Sequence, residues 1–150
     1  MQKVKEYLPA ILLLTLCLIT PGKPLTRGDA AAAFTFHFTH ANIFHLLANF
    51  YVIARFRPKW VNLPVAYLSA TTAALIPWTA MEMPTVGISG VIFALLARRD
   101  AILHIRNWRL LGINAVLAFV PNYNWKIHLA SYIIASLIWK IYLYCKNSSH

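Results

Sequence analysis

Apolar residues run along this chain in six blocks, at about 7–20, 36–54, 60–80, 87–97, 107–121 and 125–145. Charged or turn-forming residues separate them, as "PGKPLTRGD" does after the first block and "RFRPK" after the second. A helix needs about 20 consecutive apolar residues to cross the hydrocarbon of a bilayer. The blocks therefore predict an all-α membrane protein, a bundle of six transmembrane helices forming one domain over residues 1–150. The first block, with Lys3 and Lys5 ahead of "ILLLTLCLIT", has the outline of a secretory signal. No small-residue cleavage site follows closely, so it reads as a retained first helix. The fourth block is different. "VGISGVIFALLA" holds about 12 residues, or about 18 Å of helix, against about 30 Å of hydrocarbon. A short central fourth helix that starts partway down is expected, met there by the chain from "MEMPT". Irregular backbone at that depth is tolerated only where it is buried in protein or lines a wet cavity.

Composition points the same way. Hydrophobic residues make up 59% and charged residues 12%, against roughly 45–50% and about 25% in soluble domains. A net charge of +10 suits either nucleic acid or anionic lipid. The cations, however, lie in clusters between apolar blocks, which indicates a lipid bilayer as partner and no nucleic acid. With the N-terminus cytoplasmic, eleven cations (Lys3, Lys5, Arg55, Arg57, Lys59, Arg98, Arg99, Arg106, Arg109, Lys140 and Lys146) fall inside. Three (Lys23, Arg27 and Lys126) fall outside. That bias matches the positive-inside rule and predicts a multi-pass protein of the cell membrane with both termini cytoplasmic. Cys17 and Cys145 fit neither a disulfide framework nor a metal-binding spacing and read as buried apolar thiols. No HExxH occurs, and Glu6, Asp29, Glu82 and Asp100 all lie outside the blocks. Zinc and paired-aspartate chemistries therefore lack their residues, and neither metal nor cofactor is expected.

Polar side chains inside apolar blocks are costly and tend to mark function. "HANIFHLLAN" places His40, His45 and Asn49 in the second block. The four-residue spacing puts His45 and Asn49 on one helix face. Ser89, in "GISG", falls in the first turn of the fourth helix, and His128 lies three or four residues into the sixth. By the alternation of spans, His45, Asn49, Ser89 and His128 face the outer leaflet. His37, His104 and His150 read as interfacial or terminal.

With "FTHANIFHLLAN" (38–49), "GISGVIFALL" (87–96) and "VPNYNWKIHLAS" (120–131) in this order, the chain resembles the rhomboid family of intramembrane serine proteases from about residue 34 onward. A lone GxSG is a weak signal; the three motifs on the expected helices are a specific one. The resemblance implies a catalytic dyad of Ser89 and His128, with no acidic third member. It also implies an oxyanion site made by His45, Asn49 and the backbone N–H of Ser89. Phe93 takes the position of the aromatic, often tyrosine, that seats the histidine. Gly87 and Gly90 allow close approach of the fourth helix to the second and sixth, and His40 has a supporting role. Where relatives have glycines after the histidine, this chain has Ser131 and Ala135, still small enough for close packing.

The implied activity is endopeptidase cleavage of single-pass transmembrane protein substrates near the outer face of the membrane. A rhomboid-like pseudoprotease that binds and delivers membrane clients is the alternative, and a small transporter with a broken helix a remote third. The first loop departs from the family. About 15 residues connect the first two blocks, and "DAAAAFTFHF" lacks the usual Trp-Arg pair. Seating in the bilayer and substrate admission are affected by that change, and the dyad is not.

Overall fold

The computed structural model describes residues 5–80, 84–103, 112, 114–116, 118–119 and 123–148. Among these the chain is helical, apart from one antiparallel bridge in which Leu25 and Thr85 exchange two backbone hydrogen bonds of 2.9 Å. Five longer helices are present: α1 (Leu8–Ile19), α2 (Ile43–Phe56), α3 (Leu63–Leu75), α4 (Ser89–Leu103) and α5 (Trp125–Ser148). The fifth apolar block falls largely outside the described residues.

The helix ends have local causes. Pro9 and Pro64 sit in the first turns of α1 and α3, where a missing N–H costs nothing. Asn42 caps α2: it is extended, and its side-chain oxygen accepts the His45 backbone N–H at 2.9 Å. The second block is therefore not one helix. Residues ahead of Asn42 form a four-residue turn, Ala32–Thr35, and a 3-10 turn, Phe36–Phe38, because the cap needs extended backbone where hydropathy shows only an apolar run. At the other end α2 stops at Arg57, which takes left-handed backbone (φ 47°, ψ 61°) in front of Pro58. The third block is likewise trimmed to 13 helical residues, with 3-10 turns Trp60–Asn62 and Pro77–Thr79 at its ends.

The fourth helix begins at Ser89 but runs 15 residues, past Arg98 and Arg99 to Leu103. Alanine, leucine and arginine are good helix formers, and Asp100 is buried (7% exposed), accepting the Tyr132 hydroxyl at 2.7 Å. The edge expected at Arg98 is thus carried on by a hydrogen bond to α5. This helix is the centre of the molecule, with Val91, Ile92, Ala94, Leu95, Leu96 and Ala97 all buried. Apolar burial around the whole circumference is what a core helix requires.

Alanines make up nearly half of the described apolar interior, and large apolar side chains coat the exterior. Ten of the 21 buried apolar residues described are alanines, which lets helices pack backbone to backbone. Outside, Leu18, Ile19, Phe44, Tyr51, Leu68 and Ile141 are each more than half exposed. One helix among the described residues, α5 with 24 residues, is long and apolar enough to cross a membrane; its length is about 36 Å at 1.5 Å per residue.

Two expectations for single residues fail. His37 is fully buried, with Nε2 3.2 Å from the Thr71 hydroxyl, because the 3-10 turn carries it inward. Cys17 is half-buried, but Cys145 is exposed, since the last turns of α5 project beyond the other helices' cover. His104 and His150 lie outside the described residues.

Candidate active site

Three segments meet at the start of α4. The first is the approach to Ser89. Thr85 is fixed by the Leu25 bridge, and the Gly87 N–H donates to the Phe36 carbonyl at 3.1 Å. Gly87 has φ +106°, a conformation that costs a side chain dearly. Space adds a second constraint: a Cβ there would stand 2.6 Å from His45 Cε1 and 3.5 Å from Asn49 Nδ2. The bare edge of Gly87 thus faces both α2 side chains, two residues ahead of Ser89.

The second segment is α2. His45 is half-buried and Asn49 buried (7% exposed), one turn apart on the face toward Gly87. The Asn49 Nδ2 is buried without a hydrogen-bond partner among the described residues. Leaving such a donor unpaired costs about 1–3 kcal/mol, so it stands ready for an acceptor. His40 approaches His45 edge-on, with ring centroids 5.2 Å apart, and so borders the site through His45.

The third segment is α5. Ser89 Oγ lies 2.7 Å from His128 Nε2, and His128 is buried (4% exposed). Gly90 makes this approach possible: its missing Cβ would meet Ser131 Oγ at 3.2 Å, Ala70 Cβ at 3.3 Å and Ile127 Cγ2 at 3.6 Å. The two glycines therefore divide the work, Gly87 against α2 and Gly90 against α3 and α5. Phe93, one turn below Ser89, stacks flat on His128, with centroids 4.6 Å apart and planes 3° from parallel. The buried His128 Nδ1 has no hydrogen-bond partner among the described residues. The ring is held by packing where a carboxylate might have held it.

All eight residues expected from the sequence gather here. Three others, Tyr123, Asn114 and Asn124, belong to the same structure and carry no periodic signal. Tyr123 packs on His128 at 4.7 Å and 60°, so aromatic rings flank the imidazole from two directions. Its hydroxyl donates to Asn114 Oδ1 at 3.3 Å, and Asn114 Nδ2 donates to the Trp125 carbonyl at 3.2 Å. Asn124 is buried and makes three bonds. Its oxygen caps α5 by accepting the Ile127 N–H at 3.2 Å, and its Nδ2 donates to the Thr79 carbonyl at 3.1 Å and the Thr85 hydroxyl at 2.8 Å. One carboxamide therefore ties the start of α5, which carries His128, to the segment leading into Ser89. An Asn just ahead of a helix is a recognisable cap signal; its second attachment is not.

A hydroxyl in hydrogen-bond contact with a ring nitrogen is the geometry of a nucleophile beside its base. As the first residue of α4, Ser89 also has a backbone N–H with no intrahelical acceptor. Among the described residues no three His, Cys, Asp or Glu side chains stand close enough to share a metal ion. Comparison with protein-family models, curated proteins and solved structures finds no match to this chain.

Proposed function

We propose that this protein is an intramembrane serine endopeptidase of the rhomboid type, a six-span bundle that cleaves single-pass membrane proteins near the outer face of the bilayer. The observation that carries this reading is the 2.7 Å contact between Ser89 Oγ and His128 Nε2, with the Phe93 ring stacked on His128. The many large apolar side chains left on the outside, around an interior rich in alanine, favour lipid as the surrounding medium. Helices of 12 to 15 residues reach only about 18–22 Å; the turns at their ends and local thinning of the bilayer make up the difference.

In this mechanism His128 Nε2 takes the Ser89 proton as Oγ attacks the scissile carbonyl carbon. The carbonyl electron pair moves to oxygen, where Asn49 Nδ2, His45 and the Ser89 N–H donate to it. Preorganised donors of this kind are worth about 2.7–4 kcal/mol each, and the positive end of α4 adds to the field. As the tetrahedral centre collapses, the C–N bond breaks and the imidazolium returns its proton to the departing amine. Water, deprotonated by His128, then hydrolyses the ester on Ser89 and regenerates the hydroxyl. The substrate must be unwound at the cut, because a helix screens its carbonyl carbons behind its own hydrogen bonds.

The test is reconstitution of the full chain and of Ser89→Ala in liposomes with a transmembrane reporter, with fragments mapped by mass spectrometry. A single cut near the outer leaflet by the parent and none by the variant is the expected result. Intact reporter with folded parent protein, but stable co-purification of the two, would replace the protease with a client-binding pseudoprotease.

A further inference from the structure

Nine residues beyond Ser89, about 14 Å along α4, lies a second polar region that the reaction does not use. A cleft of about 300 Å³ opens between the end of α2, the start of α3 and the middle of α4, lined by Arg57, Pro58, Lys59, Asn62, Arg98 and Arg99. That volume is at the lower end of the range for small-ligand sites, about 300–1,000 Å³. Four cations share it. Arg57 is paired with Glu6 at 2.8 Å, and Asp100 is turned to Tyr132 on α5, which leaves the cleft strongly positive.

The Arg98 guanidinium lies over the Trp139 ring at 5.1 Å, and its Nε is buried without a hydrogen-bond partner among the described residues. Asn62 is 3% exposed, and its Oδ1 has no hydrogen-bond partner among the described residues. Like charges gathered around a buried, unpaired donor make an incomplete arrangement. What completes it is an anion with several acceptor oxygens, and the guanidinium fork matches phosphate geometry. Asn62 Oδ1 would accept from a hydroxyl or ammonium beside that phosphate.

We infer that this cleft is a phosphate-binding site, filled by the headgroup of an anionic phospholipid or by free phosphate. Basic pockets between helices at the cytoplasmic side of a membrane are suited to lipid headgroups. The phosphate chemistry is independent of the protease reading; the lipid source alone rests on the chain lying in a bilayer.

Thermal unfolding of the detergent-solubilised full chain provides the test, with three probes: dihexanoyl phosphatidylglycerol, dihexanoylglycerol (the same tails without phosphate) and inorganic phosphate. Saturable stabilisation by phosphatidylglycerol alone assigns the site to a lipid headgroup, and stabilisation by inorganic phosphate as well assigns it to phosphate from either source. Lys59→Gln/Arg99→Gln removes two exposed cations without disturbing the core and is expected to weaken the response at least about tenfold, the scale of a charge-assisted hydrogen bond. Arg98→Gln should weaken it further. Lys140→Gln/Lys146→Gln, exposed on α5, removes the same charge elsewhere and should leave it intact. The site is refuted if neither phosphate probe exceeds dihexanoylglycerol and chloride at equal ionic strength, or if the two double variants respond alike.

Discussion

The two ends of α4 solve the problem of polar groups in an apolar bundle in opposite ways. At the Ser89 end the side chains are uncharged partners: Ser89 with His128 at 2.7 Å, and Asn124 with Thr85 at 2.8 Å and the Thr79 carbonyl at 3.1 Å. At the Arg98 end they are charged, and Arg57, Lys59, Arg98 and Arg99 stay around an open cleft. Both ends are clasped to α5, by Ser89–His128 at one and Asp100–Tyr132 at the other, with Gly90, Ala94 and Ala97 packed between. Neutral hydrogen-bonding groups can be buried for a modest cost when paired, whereas net charge cannot. The neutral Ser89–His128 pair can therefore sit inside the bundle, while the four cations stay at the cleft and the buried carboxylate of Asp100 is held by the Tyr132 hydroxyl.

Substitutions at either end should separate these roles. Gly87→Ala is expected to have the largest effect. It forces a side chain into left-handed backbone and into His45, a loss larger than the roughly 0.4–1 kcal/mol that Gly→Ala gains at a compatible site. Lower thermal stability together with near-complete loss of cleavage is expected. Asn49→Ala removes one donor and leaves the helix intact; kcat should fall about 10²–10³-fold, with a melting temperature equal to or above the parent's because the unpaired buried donor is gone. Tyr132→Phe acts at the opposite end. Losing a hydrogen bond to buried Asp100 should cost about 1.5–3 kcal/mol in calorimetry, with cleavage by the folded fraction unchanged. Asn124→Ala should cost about 1 kcal/mol, the value of a helix cap. Because the same carboxamide holds Thr85, cleavage should also fall, a loss that a cap placed elsewhere on the molecule would not cause.

What the sequence made legible was the part governed by spacing. His45 and Asn49 fall one turn apart, Phe93 falls one turn after Ser89, and each pair shares a face in the structure. The all-helical class followed from the apolar blocks. The start of α2 did not, because hydropathy does not register Asn42 breaking an apolar run; its end, marked by "RFRPK", falls close to the edge of the second block. Tyr123 and Asn124 sit in a connection where no period operates, and the Asn124 bonds to Thr79 and Thr85 join segments 45 and 39 residues apart. His37 looked like an interfacial residue until a 3-10 turn carried it inward to Thr71. The basic cleft was read only as a charge bias; that four of its cations converge on one cavity depends on tertiary packing.

Fluorophosphonate labelling of the full chain, with the modified residue located by mass spectrometry, tests the central claim most directly. Modification at Ser89, abolished in Ser89→Ala and sharply reduced in His128→Ala, is the expected result. A folded protein whose Ser89 stays unmodified, or is modified equally with and without His128, would contradict it.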